Sequence, residues 1–220
     1  MPVQHLSPYG TPKQSGGSFV AASVATMTAL AAFLDGAPER VHGNEIRVDA
    51  DGSVWRWHST STLTSDGILV QSATDVATVT AGRWLRACGR VVLRLPFTYA
   101  TADGATLLTV PTGCVFKLDS AHWKITTACS GGSSSAIGVA ATGHATAGDI
   151  LGGAAGDVEA TLTAGTKAGT IGAKMDTDVE LHSMIFVATN TFTFERITSV
   201  FTAGVGFACL EGTLLEHPGA

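Results

Sequence analysis

The stretch Val48-Asp-Ala-Asp-Gly-Ser-Val-Trp-Arg-Trp-His58 predicts a β-hairpin with one aromatic side. An Asp-Gly pair flanked by strand-forming residues is typical of a tight turn between antiparallel strands. Because side chains alternate along a strand, Ser53, Trp55 and Trp57 lie on one face of the second strand. The residues between them form a more polar face. The hairpin is therefore expected to place its tryptophans against a core.

An Ala-rich segment before the hairpin predicts a helix over residues 18–34. Its apolar residues recur at steps of four and three, the spacing of one helical stripe, at Val20, Val24, Met27, Ala31 and Leu34. Ser18 is a candidate N-cap, and Asp35-Gly36 is a candidate stop. We expect this helix to pack on its own module. A short trimeric coiled-coil seam is the alternative.

The motif Gly82-Arg-Trp-Leu-Arg86 follows the hairpin. The order of the element Ser23–Leu30, the hairpin and this motif resembles the small N-terminal module of tailed-bacteriophage fibre and tailspike proteins. The resemblance implies a small α+β module over residues 18–89. Trp84 is expected to join Trp55 and Trp57 in its structural core, because a module of this size needs its few aromatic residues for stability. A ligand-binding platform is the alternative role.

Composition narrows the classes of function. Only 14% of the residues are charged, and the net charge is −5 with 13 Lys and Arg spread thinly, which argues against nucleic-acid binding. The mean hydropathy of +0.28 is high for a soluble monomer, although no apolar run reaches the ~18 residues of a membrane span. Residues 1–17 lack the pattern of a secretory signal and are expected to form an extended N-terminal arm. Much of the surface is expected to be neutral or buried against other subunits.

Residues 90–220 predict a second module that is richer in strands. Runs with β-branched or aromatic residues alternate with Gly-containing breakers, and they cover residues 90–98, 106–110, 114–127, 135–140, 158–162, 178–188, 191–202 and 206–215. Eight such runs without a helical segment predict an antiparallel β-sandwich, jelly-roll-like in its simplest assignment. The low-complexity stretch Gly143–Gly172 is expected to be a long loop that contacts neighbouring subunits.

This second module also resembles a group of phage virion proteins. The similar residues are Leu107–Gly113, Trp123–Gly138 and the closing segment Thr189–Thr202. The resemblance implies a head-decoration or fibre-type component, commonly a homotrimer.

Few residues have the spacing of a catalytic or metal-binding site. Asp176, Asp178, Glu180 and His182 would share one face of a strand and could hold a cation such as calcium, although a polar strand edge is the alternative. The sequence lacks the G-x-S-x-G and H-E-x-x-H motifs of hydrolases and metalloproteases. We therefore expect neither an enzyme nor a bound cofactor.

The cysteines Cys88, Cys114, Cys129 and Cys209 are widely spaced and form no C-x-x-C pair. Buried free thiols, disulfides and metal ligation all remain open, the last being disfavoured by the wide spacing.

Two functions follow from these patterns. The first is a trimeric capsid decoration or cement protein on the surface of a phage virion, bound to the major capsid protein or other virion proteins. The second is a tail or collar fibre adaptor, or a receptor-binding protein that recognises a host-surface ligand.

Overall fold

The computed structural model divides the chain into two compact units, Met1–Ala87 (unit 1) and Cys88–Glu216 (unit 2). It describes residues 5–6, 12–13, 22–33, 42–76, 80–131, 137–143, 150–152, 162, 165–168, 184–196 and 201–216. The fold is mainly β, with antiparallel sheets and one short helix near the N-terminus in the described residues. Among the described residues, no helix is long and apolar enough to cross a membrane.

The described residues of unit 1 form seven short strands and one helix. In chain order these are β1 (His5–Leu6), β2 (Pro12–Lys13), β3 (Ala22–Val24), α1 (Met27–Ala31), β4 (Glu45–Val48), β5 (Val54–His58), β6 (Val70–Ser72) and β7 (Arg83–Arg86). Strands β1 and β2 pair with each other, within the segment predicted as an extended arm. The other five form one sheet in the order β3-β4-β5-β7-β6, in which only the β3–β4 pairing is parallel.

The predicted hairpin is confirmed as β4 and β5. Gly52 lies in the turn with a φ of +72°, a conformation that suits glycine, and the backbone N–H of Val48 donates to the carbonyl of Ser53. Ser53, Trp55 and Trp57 are buried, whereas Val54, between Ser53 and Trp55, is exposed. The predicted separation of the two faces is therefore observed.

The prediction of a helix from Ser18 to Leu34 is wrong in extent. Helix α1 covers Met27–Ala31 and is capped by Thr26, whose hydroxyl accepts from the N–H of Ala29 at 3.2 Å. Residues Ala22–Val24 instead pair alongside β4. An apolar residue at Val24 suits a buried strand as well as a helical stripe, and pairing with the sheet decides between them. Ser18 and Leu34 lie outside the described residues.

The described residues of unit 2 form eight strands. They are β8 (Gly89–Thr98), β9 (Ala105–Thr109), β10 (Val115–Ser130), β11 (Ile137–Ala141), β12 (Gly165–Ala168), β13 (Ile185–Val187), β14 (Thr191–Arg196) and β15 (Ala203–Glu216). One sheet has the order β12-β10-β15-β8, with β13 also paired to β10, and the other has the order β11-β14-β9. All these pairings are antiparallel. Strand β12 lies inside Gly143–Gly172, so the prediction that this stretch is a loop is wrong at Gly165–Ala168.

The core of unit 2 is rich in phenylalanine. Phe97 of β8 stacks on Phe194 of β14 with ring centroids 5.4 Å apart, and Phe116 of β10 meets the edge of Phe192 at 6.4 Å. These contacts join the two sheets. Gly212 of β15 permits close approach of the neighbouring strand, because a Cβ there would lie 2.1 Å from the carbonyl oxygen of Lys117.

Among the described strands, β8 lies at one edge of its sheet. The N–H of Tyr99 donates towards β15, to the carbonyl of Gly204. Since backbone groups alternate in direction, the nitrogens of Thr98 and Pro96 face away from β15. Thr101 accepts from the Thr98 N–H through its hydroxyl at 2.9 Å, and proline carries no N–H. The end of this edge is therefore closed to a further strand.

Candidate functional site

The three tryptophans of the sequence motifs lie in the buried core of unit 1. The rings of Trp57 and Trp84 are 5.2 Å apart, and Phe33, which follows α1, meets the edge of Trp84 at 6.1 Å. Each indole is at most 4% exposed. Rings without accessible faces can fill a core but cannot stack on a ligand from solvent.

A polar network holds the Trp55 indole. Its Nε1 donates to the Ser53 hydroxyl at 2.7 Å, and that hydroxyl donates to Asp51 Oδ1 at 2.6 Å. Arg86 lies over the Trp55 ring at 5.9 Å, with its Nη2 3.9 Å from Asp51 Oδ2. The hairpin turn and the end of the Gly82–Arg86 motif are thus tied together through one indole.

Arg83 fixes the chain that leads into the same motif. Its guanidinium is almost fully buried and donates to the carbonyls of Leu63, Thr80 and Gly82 at 2.7–2.8 Å. Gly82 has a φ of +124°, and a Cβ there would lie 2.8 Å from the Trp57 ring. The residues of this motif therefore stabilise the packing of unit 1.

The predicted cation site cannot be placed. Asp176, Asp178, Glu180 and His182 lie outside the described residues. Within the described part of the chain, no three His, Cys, Asp or Glu side chains are grouped to hold a metal ion.

None of the four cysteines forms a disulfide bond. Cys88 is exposed, whereas Cys114, Cys129 and Cys209 are buried. Burial raises the pKa of the Cys209 thiol above the ordinary 9.0, although the nearby charge of Arg94 opposes the change. Cys209 therefore carries its proton at neutral pH and is a poor nucleophile.

A polar cluster lies on the outer face of the larger sheet of unit 2, the face opposite the phenylalanine core. The carboxylate of Glu211 is 3.3 Å from His122 Nδ1 and accepts from the Ser120 hydroxyl at 3.3 Å. Arg90 Nη2 lies 3.9 Å from the same carboxylate. We call Arg90, Ser120, His122 and Glu211 the outer polar cluster.

The outer polar cluster has the residue types of a hydrolase triad but a different order of contacts. In a triad the histidine contacts both the nucleophile and the acid, so that it can take the proton of the nucleophile. Here Ser120 and His122 both contact Glu211. The arrangement holds charges on a sheet surface and offers no activated serine.

An apolar patch lies on the same outer face. Phe116, Phe186 and Leu214 point into the core and are at most 1% exposed. Their neighbours therefore point outward, and three are well exposed: Ile185 at 44%, Val187 at 45% and Leu215 at 50%. These three residues with the half-buried Val115 form what we call the outer apolar patch.

The sequence patterns that we used did not identify this patch. Residues 178–188 were predicted as a strand, but the face that each side chain takes depends on pairing between β13 and β10. Ile185-Phe186-Val187 is apolar on both sides, and that is the signal which could have shown an outward-facing apolar surface.

Comparison with protein-family models, with curated proteins and with solved structures gave no match to this chain.

Proposed function

We propose that this chain is a non-enzymatic structural protein of a phage virion, a trimeric decoration or cement protein on the capsid surface. The observation that carries the proposal is the strand order of unit 2, which agrees with a jelly-roll β-sandwich. Double-sheet jelly rolls recur in viral capsid proteins. The resemblance of Leu107–Gly113, Trp123–Gly138 and Thr189–Thr202 to phage virion proteins supports the same context.

The strand order can be compared with a jelly roll directly. An eight-stranded jelly roll holds its first, eighth, third and sixth strands in one sheet, and its second, seventh, fourth and fifth in the other. The path β8-β15-β10-β13 follows the first order, and β9-β14-β11 follows the start of the second. Strand β12, the fifth, departs from the pattern because it pairs with β10. Seven of the eight strands therefore support the jelly-roll assignment.

The proposed mechanism is mass action. A protein that binds the assembled shell but not its separated subunits stabilises the shell by RT ln(1 + [L]/Kd) for each site, where [L] is its free concentration. This role needs binding surfaces and no catalytic group. The order of contacts in the outer polar cluster agrees with it, as does the low charge of the chain.

A tail or collar fibre adaptor is the second candidate. It is favoured by unit 1, whose hairpin and Gly82–Arg86 motif resemble the N-terminal module of fibre and tailspike proteins. A lectin-like role for unit 2 would suit a receptor-binding protein, because jelly rolls also occur in lectins.

Copy number in purified particles separates the two candidates. On the order of hundreds of copies per particle, measured by quantitative mass spectrometry, is expected for a decoration protein that repeats with the capsid lattice. About a dozen copies would instead indicate a tail or collar protein. Absence of the protein from the particles would refute both.

A further inference from the structure

The outer apolar patch concentrates exposed apolar surface at one end of one sheet. Across the described residues, the large apolar side chains that are exposed are Val54, Tyr99, Ile185, Val187, Val205 and Leu215. Half of them belong to the patch, on the strands that flank β10. An exposed apolar cluster of this kind marks a contact surface, since isolated exposed apolar residues would be scattered.

Pairing places these residues beside one another. Val187 is opposite Val115, and Ile185 is opposite Lys117, in the β13–β10 ladder. Opposite residues in an antiparallel pair have their Cβ atoms about 5 Å apart, so Val115 and Val187 are neighbours. On the other side of β10 the register shifts, with Val115 opposite Glu216 and Phe116 opposite Leu214, and Leu215 lies in the irregularity between these two pairs. The patch therefore extends from β13 across Val115 to Leu215 of β15.

Charges of both signs border the patch. Lys117 Nζ lies 3.5 Å from Asp119 Oδ1, and both side chains are about half exposed. If the patch bound a different protein of opposite charge, the charged residues around the patch would be expected to share one sign. A border with both signs can instead face a rotated copy of itself, so that the lysine of one copy meets the aspartate of another.

We infer that the outer apolar patch is the surface through which copies of this chain associate. The inference rests on the proposed function, of which a homotrimer is part, and it names the contact that forms the trimer. In the assembly, Ile185, Val187 and Leu215 are buried against the equivalent sheet face or an adjoining surface of the next copy. Burial there would also remove the apolar surface that a monomer leaves in water.

Charge substitution tests the patch in the full-length protein. Ile185→Lys and Val187→Lys are compared with Val205→Lys, a matched control on the outer face at the far end of β15 that is 37% exposed. Sedimentation over a concentration series gives the mass, and thermal unfolding followed by circular dichroism verifies the fold. We expect the protein without substitutions to sediment with a mass of three times 22.5 kDa. The two patch variants should dissociate with a Kd on the order of 100-fold higher, while Val205→Lys stays assembled.

The outcomes separate this inference from the proposed function. If the unchanged protein and both folded patch variants are trimers with the same Kd, the patch is not the contact between copies, although the prediction of a trimer is confirmed. If the unchanged chain is a monomer at micromolar concentration, both the patch contact and the trimer are refuted, while copy number per particle still tests the virion role. If Val205→Lys dissociates as readily as the patch variants, the effect is not specific to the patch and the inference fails.

Discussion

Units 1 and 2 solve the problem of a stable core in different ways. Unit 1 concentrates its core on three indoles, one of which, Trp55, is held by Ser53 and Arg86. Unit 2 spreads its core along extended ladders, with β10 and β15 paired over most of their 16 and 14 residues. The loss of one side chain should therefore damage unit 1 more widely than unit 2.

The largest expected effect is that of Trp84→Ala. Removing a fully buried indole costs about 3–5 kcal/mol, which is comparable to the whole stability of a small module. We expect unit 1 to unfold at a lower temperature while unit 2 keeps its transition, so that calorimetry resolves two peaks. Phe192→Ala is the counterpart in unit 2 and should lower the other peak.

Two results would break this comparison. A single transition that moves as a whole in both variants would show that the units unfold together. A Trp84→Ala protein with unchanged stability but lost binding to a glycan or host extract would give the indole a ligand-binding role and place the fibre adaptor ahead of decoration.

A smaller effect is expected from Gly82→Ala. The added methyl group would be strained at a φ of +124° and would press on the Trp57 ring, at a cost of about 2–4 kcal/mol to unit 1. Gly67→Ala is the control for a positive φ without such a contact, because Gly67 has a φ of +72° and, apart from its chain neighbours, no atom within 4 Å of the added carbon. It should cost about 1 kcal/mol. Equal shifts in urea unfolding would show that the contact with Trp57 does not matter.

Ser53→Ala should destabilise unit 1 by about 1–2 kcal/mol, because the buried Trp55 Nε1 would lose its acceptor. A double-mutant cycle sharpens the test. In a Trp55→Phe background, which has no indole N–H, the same Ser53→Ala change should cost less. A cost that is the same in both backgrounds would exclude the hydrogen bond as its source.

The smallest effect concerns alkaline pH and unit 2. The pKa of Cys209 is raised in the folded state, so above pH 9.0 the unfolded chain loses this proton before the folded chain does. The free energy of unfolding should therefore fall as pH rises above 9.0. Cys209→Ala should weaken that decline relative to the unchanged protein, whereas Cys88→Ala, at an exposed position, should not. The same decline in all three proteins would contradict the assignment.

Local sequence patterns predicted the strands better than the helix. The run 206–215 lies within β15, and the run 90–98 within β8, because β-branched residues and glycine breakers mark their limits. The helix was overestimated because Val24 satisfies two periodicities, and only pairing with β4 selects the strand. Strand β12, with the sequence Gly-Thr-Lys-Ala, has no strong local preference and depends on the neighbouring β10.

The candidate sites also differ in whether they depend on local sequence or on long-range strand pairing. The tryptophans could be identified from alternation within one hairpin, since Trp55 and Trp57 are two residues apart. The outer polar cluster could not, because Ser120 and Glu211 are 91 residues apart and meet through the β10–β15 register. The same dependence on register hid the outer apolar patch. Residues brought together by long-range pairing leave no short motif in a sequence.

The closed end of β8 limits how this protein can polymerise. Strand addition at an open sheet edge can continue without end and leads to fibrils. Pro96 and the hydrogen bond between Thr98 and Thr101 oppose it at this edge. Growth by contact between sheet faces can close after a few copies when the rotation between neighbours is symmetric. A closed edge, together with the proposed association through the outer apolar patch at the opposite end of the sheet, would therefore favour a ring of fixed size over an unlimited filament.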